Sequence, residues 1–290
     1  MKLVSFELKG EQRVGLWLPE GILDLKQLDA SMPSDMISLL AEWQKYRPKL
    51  EKLEQGVQVQ EALVSPNDVH VLAPIPRPCK LMAVGLNYRD HAAETGAQLP
   101  SSPIFFAKAA SAALGPYDPI VIPRITHQVD YEAELALVIG RKGRHISEAS
   151  ALEHVAGYMA FNDVSARDMQ FGDRQWFRGK SCDTFAPMGP WIVTADEVAD
   201  PQRLDIELRL NGQVMQRSNT SQMVFSIAQL ISFISQAMTL EPGDVIATGT
   251  PSGVGYVRKP PVFLQAGDIV EVQIQGVGTI RNPVIAEEVH

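Results

Sequence analysis

A chain of 290 residues with 45 % hydrophobic and 21 % charged side chains carries enough apolar mass for one large core, or for one core plus a small partner. Its net charge of −8 argues against a nucleic-acid or anionic-membrane surface. Its two cysteines, Cys79 and Cys182, are too few for a disulfide framework or a zinc cluster.

The opening stretch MKLVSFELKGEQRVG has no long apolar segment of the signal-peptide kind, and no apolar run reaches membrane-spanning length. The expectation is a cytoplasmic protein. Residues 1–25 read as short strands broken by turns at KGEQ and PEG. SDMISLLAEW then reads as a helix capped by Ser34, with Met36, Ile37, Leu39, Leu40 and Trp43 at helical spacing. The charged stretch RPKLEKLEQ reads as solvated. VLAPIPRPCK (71–80) carries Pro74, Pro76 and Pro78 at alternate positions, which no helix or central strand accepts. It reads as an extended linker, dividing a small α+β domain (1–73) from a larger domain (74–290).

Beyond the linker, many short strands are punctuated by Gly and Pro. Two helices stand out. One is SEASALEHV, capped by Ser147 with Glu148 in its first turn. The other spans 223–240, with Ile227, Leu230, Ile231, Ile234 and Met238 on one face, and EPGD ends it. The pattern predicts a β-rich α+β fold, a roll, barrel or sandwich.

The chemistry concentrates in VDYEAELALVIG (129–140). Glu132 and Glu134 are two residues apart, so a strand points both the same way. An isolated Glu-x-Glu is usually a solvated edge, but this pair opens an apolar run. Asp163 follows a second apolar strand, GYMAF, and the intervening helix is long enough to return the chain to a neighbouring strand. Three carboxylates held together need a compensating cation. An all-oxygen set suits Mg²⁺, Mn²⁺ or Ca²⁺ rather than zinc, and leaves about three octahedral positions for water or substrate. An anionic substrate would then call for nearby cations, and Lys108, Arg167 and Lys180 are the candidates. Each alone reads as a surface charge; Lys180 is the least bland, in a Gly/Ser/Asp-rich loop. In GLNYRDHAAETG, His91 and Glu94 are three apart and face each other on a helical turn, as a water-activating base and its orienting carboxylate require. His127, His145, His154 and His290 read as superficial or structural, His70 as a strand end, and Cys182 as a small buried thiol.

Eight blocks in order (VGLNYRDHAAE, PIFFAK, DYEAELALVIG, FNDVSARDMQ, GKSCDTFAPMGP, LNGQVMQ, FSIAQLISFIS and LEPGDVIATGTPSGVG) resemble the fumarylacetoacetate hydrolase family over roughly residues 78–285. The resemblance implies the family's mixed β-sandwich roll with a small N-terminal α+β domain, in a homodimer. It implies Glu132, Glu134 and Asp163 as ligands of Mg²⁺ or Mn²⁺. It implies His91 and Glu94 as the catalytic dyad, carried on a lid, and Lys180 as the active-site lysine. Lys108, Arg167, Gln170 and Thr250 match residues that line the site or hold substrate oxygens. The expected activity is metal-dependent hydrolysis of a carbon–carbon bond in a 2,4-dioxo acid of the acylpyruvate type, releasing pyruvate and a carboxylic acid. Its rivals are oxaloacetate decarboxylation and 2-hydroxy-dienoate isomerisation on the same site, and, more distantly, a non-catalytic metal-binding scaffold. The expected ligand is a small anionic oxo acid, with no nucleic-acid or membrane partner.

Overall fold

The computed structural model describes residues 1–54 and 60–288; His290 lies outside the described residues. The organising element is the strand Ala133–Ile139, buried at every position. Its aliphatic run has no solvated face because both faces of its sheet are covered, as a near-continuous apolar strand requires. Alternate side chains serve two cores. Ala133, Leu135, Leu137 and Ile139 enter one, while Ala136 and Val138 enter the other. Each of these Leu and Ile side chains leaving water contributes roughly 1.5–3 kcal/mol.

The strand lies inside a 12-stranded sheet. It pairs antiparallel with Val155–Asn162 on one side and with Val245–Ala247 on the other. Val245–Ala247 pairs parallel with Leu81–Gly85, which pairs antiparallel with Ile104–Lys108. On the far side, Val155–Asn162 pairs with Ala186–Thr194. There the N-terminal strand Lys2–Leu8 joins edge to edge, at Lys2↔Val193 and Leu3↔Ile192. The N-terminal strands therefore extend the same sheet, and their apolar side chains share one core with Ala136, Val138, Met159 and Ile192. A five-stranded sheet, including Asp205–Leu210, Ile269–Ile274 and Gly278–Ala286, packs on the opposite face. The fold is strand-rich α+β.

The helices differ in detail from the sequence reading. Asp35, not Ser34, caps Met36–Ala41, accepting from the Ser38 amide. A separate helix, Trp43–Glu54, covers part of the stretch expected to be solvated, and buries Tyr46, Leu50 and Leu53 at i, i+4 and i+7; Pro48 inside it obscures that periodicity. Ser147 does cap the next segment, but Glu148–His154 is a 3-10 helix. Helix Ile227–Ala237 is shorter than 223–240 because Ser226 and Gln229 form a capping box at its start and Met238 is extended at its end. Met238 is 41 % exposed, off the buried face. The proline-rich linker is packed in place, with Ala73 and Ile75 buried. Among the described residues, no helix is long and apolar enough to cross a membrane.

Candidate active site

Glu132 precedes the strand Ala133–Ile139, Glu134 is its second residue, and Asp163 follows Val155–Asn162. The register Ala133↔Asn162 sets the two strand ends side by side. The Asp163 amide donates to the Glu132 carbonyl at 2.9 Å, and the Glu132 amide donates to Asn162 Oδ1 at 2.9 Å. One carboxylate oxygen from each of Glu132, Glu134 and Asp163 lies within 4.8 Å of the others, and all three residues are buried. Burial pushes the Glu134 carboxyl well above the usual range, and repulsion from Asp163 and Glu132 adds to it. Glu132 goes the other way. Burial alone would raise it, but Arg167 and Lys180 outweigh that and hold it well below the usual carboxylate range. A compact oxygen set with one carboxyl this resistant to ionisation fits a hard divalent cation.

Three cations surround the acids. Lys180, expected in a loop, instead ends the short helix Phe177–Lys180. Its ammonium donates to Glu132 Oε2 at 2.7 Å and to Asp163 Oδ2 at 2.6 Å. Burial would draw it down, but Asp163 and Glu132 outweigh burial and raise its pKa above the ordinary lysine value. Arg167 Nη2 stands 2.6 Å from Glu132 Oε1, its Nε donates to Asp130 Oδ2 at 2.9 Å, and its Nη1 donates to Gln170 Oε1 at 2.9 Å. The Tyr256 ring covers this guanidinium at 4.5 Å. Lys108 contacts Asp163 Oδ1 and donates to the Val164 carbonyl at 3.2 Å. It braces Asp163 rather than lining the cavity.

His91 lies on the helix Arg89–Thr95, which Gly96 ends in the left-handed region at φ 67°. Its Nδ1 is 3.6 Å from Glu94 Oε2, an ion-pair distance beyond hydrogen-bond reach. Buried and without a hydrogen-bond partner among the described residues, this nitrogen belongs to a side chain that borders the cavity. Glu94 is fixed from the other side, where the Gly253 amide donates to both its oxygens at 3.0 and 2.9 Å. A cavity of about 220 Å³ joins His91, Glu132, Glu134, Arg167, Gln170, Lys180 and Thr250, and Val84–Leu86, Phe106, Phe171, Trp176 and Tyr256 wall it.

The sequence reading missed three supports. Asp130, fully buried, accepts from the Tyr131, Gly255 and Tyr256 amides at 2.8, 2.7 and 3.0 Å as well as from Arg167. Its signal was present, since it precedes Glu132 by the same two residues that separate Glu132 from Glu134. Gln216 accepts from the Ala133 amide at 2.8 Å and donates to Thr250 Oγ1 at 2.9 Å. Asn87 ties the Thr248 carbonyl to the Phe225 amide. Neither Asn87 nor Gln216 has a local sequence signal. Of the thiols, Cys182 is half-buried and Cys79 exposed.

The family model for the fumarylacetoacetate hydrolase C-terminal region matches residues 80–285. The mitochondrial oxaloacetate tautomerase of Xenopus laevis is 45 % identical over 98 % of this chain and 90 % of its own length. A fumarylacetoacetate hydrolase structure from Exiguobacterium antarcticum superposes with a TM-score of 0.84 at 40 % identity, over 99 % of this chain and all of its own. The maleylpyruvate hydrolase of Sphingobium sp. SYK-6, solved with manganese(II) and pyruvate, superposes with a TM-score of 0.82 at 34 % identity, over 99 % of this chain and all of its own. By its matched segment, its relatives and its fold, this chain belongs to the fumarylacetoacetate hydrolase family.

Proposed function

We propose that the protein interconverts the enol and keto forms of a small 2-oxo dicarboxylate of the oxaloacetate class, with Glu132, Glu134 and Asp163 holding Mg²⁺ or Mn²⁺. The observation that carries this reading is one small cavity lined by Glu132 and Glu134 of the buried acid triad and by His91, whose buried Nδ1 has no hydrogen-bond partner among the described residues. The relative named an oxaloacetate tautomerase supports the substrate class. The charge balance supports an anionic ligand. Asp130, Glu132, Glu134 and Asp163 face Lys108, Arg167 and Lys180, so the formal charge of one net negative becomes one net positive with a divalent cation bound.

A bound Mg²⁺ or Mn²⁺ supplies Lewis-acid polarisation of a 2-oxo group beside its carboxylate. The rest falls to the chain's own groups. His91, oriented by Glu94, exchanges the proton at C3. In the ketonising direction the enol hydroxyl loses its proton, C3 gains one, and the double bond passes from C2–C3 to C2–O. Lys180, kept as an ammonium by Glu132 and Asp163, stabilises negative charge developing on the oxygen. Gln170 and Thr250 are positioned to donate to a substrate carboxylate.

A second reading is hydrolysis of the C3–C4 bond of a 2,4-dioxo acid, favoured by the pairing of buried His91 with Glu94 and by the maleylpyruvate hydrolase likeness. There His91 would deprotonate a water that attacks C4, and pyruvate would leave. The deciding experiment follows the enol absorbance of oxaloacetate and of acetylpyruvate with the Mn²⁺-loaded protein, alongside pyruvate release. Fast loss of oxaloacetate enol without pyruvate release supports tautomerisation. Stoichiometric pyruvate from acetylpyruvate replaces it with the hydrolase reading. Loss of neither enol overturns both.

A further inference from the structure

One wall of the cavity is apolar and is built by a single close contact. The indole of Trp176 lies so near the backbone of Gly85 that a Cβ at Gly85 would stand 2.6 Å from its Cζ3 and 2.9 Å from its Cη2. Any side chain at residue 85 would therefore displace the ring. Phe106 meets the same indole edge-on, with centroids 5.2 Å apart and planes at 72°. The ring is also tied to the acid cluster. The Trp176 carbonyl accepts from the Lys180 amide at 3.0 Å, and the Lys180 ammonium that grips Glu132 and Asp163 lies 5.0 Å from the centroid of Phe106. Trp176 is thus fixed between glycine, phenylalanine and the helix turn that presents Lys180. The cavity volume of about 220 Å³ falls below the about 300–1,000 Å³ of sites that take drug-sized ligands.

We infer that Trp176, seated on Gly85, sets the substrate's length: the site takes short 2-oxo acids of oxaloacetate size and rejects those with a bulky group beyond C3. This rests on the reading of the cavity as a 2-oxo acid site. The discrimination is steric, since the wall offers no hydrogen-bonding side chain from Gly85 or Phe106. Its size should follow the volume of the residue at 176 and grow with crowding at 85.

The test compares the Mn²⁺-loaded wild type with Trp176→Ala and Gly85→Ala. Affinity for pyruvate and for phenylpyruvate is measured by calorimetry, and turnover of oxaloacetate enol by absorbance. The wild type should prefer pyruvate by at least about tenfold, and Trp176→Ala should narrow that preference by about tenfold, the scale at which a pocket senses added bulk. Gly85→Ala, pushing the indole inward, should weaken both ligands and phenylpyruvate more; if it fails to fold, Trp176→Ala carries the test alone. Equal wild-type affinity for the two acids overturns the inference. So does a pyruvate-to-phenylpyruvate ratio that stays within about threefold in Trp176→Ala. If the affinity ratio shifts as expected while no enol is turned over, the size filter stands and the tautomerase reading fails.

Discussion

Asp130 shows what one carboxylate can organise. It is fully buried, yet it accepts three backbone amides and the Arg167 guanidinium. Arg167 in turn grips Glu132, so Asp130 fixes the acid cluster through its cation. Burial raises the Asp130 carboxyl, and the attraction of Arg167 offsets only part of that. An Asp130→Asn variant keeps the shape, loses the charge, and offers one acceptor oxygen where three amides converge. Removing one partner of a buried ion pair leaves the other uncompensated, so the variant should lose about 3 kcal/mol or more in urea unfolding at neutral pH. A loss below about 1 kcal/mol would mean that the charge of Asp130 is not what holds Arg167. Asp130, Glu132 and Glu134 are legible in the sequence by their period of two, and Asp163 by its place after a second apolar strand that returns beside the first. Arg167 is a candidate cation by residue type, but its grip on Asp130 and Glu132 is not legible, because it depends on the pairing Val129↔Ala166, between segments that only the fold brings together.

At the scale of elements, the segment Gly249–Arg258 links the acid cluster to the dyad. Asp130 holds its Gly255 and Tyr256 amides, Gln216 holds Thr250, and Arg258 Nε donates to the Gly253 carbonyl at 3.2 Å. Gly253 then donates to Glu94. Its φ of +101° belongs to glycine, and a Cβ there would stand 2.2 Å from the Met215 carbonyl oxygen. Gly253→Ala must shift this segment and loosen Glu94, and a displacement near 1 Å in a catalytic group lowers kcat by about 100-fold. The pH profile gives a second readout. Burial raises the Glu94 carboxyl, but His91 and the Gly253 amide outweigh it, so Glu94 stays ionised below its ordinary value. Loss of the amide moves that value up, and protonation then arrives earlier as pH falls. The variant's activity should therefore fail at a higher pH than the wild type's on the acid side. An unchanged acid limb would show that Gly253 does not control Glu94. The helix bearing both dyad residues is legible from their spacing of three; the clamp is not, because it joins positions 94 and 253.

At the scale of the whole molecule, the two cores meet across one sheet, and the acid triad sits where two of its central strands end. A ligand that binds only the folded triad must stabilise the entire sheet by mass action. At a Mn²⁺ concentration of 100 times its Kd the gain is about 2.7 kcal/mol, which for a chain of this size raises Tm by roughly 5 °C. Glu134 separates this effect from ordinary packing. Its carboxyl is raised by burial and by Asp163 and Glu132, so ionising it works against the folded state. The sign follows from linkage: without a cation, stability falls as pH rises from the unfolded glutamate value of about 4.3 towards the raised folded one. Glu134→Gln removes that cost while its amide oxygen still accepts from Gly249, the donor that now stands 2.7 Å from Oε2. The metal-stripped variant should thus melt no lower than the metal-stripped wild type at neutral pH, yet show no rise with Mn²⁺. A variant that melts lower and still responds to Mn²⁺ would place the ion elsewhere and make Glu134 a structural residue. Scanning calorimetry of both proteins, with and without Mn²⁺, reads both quantities in one experiment.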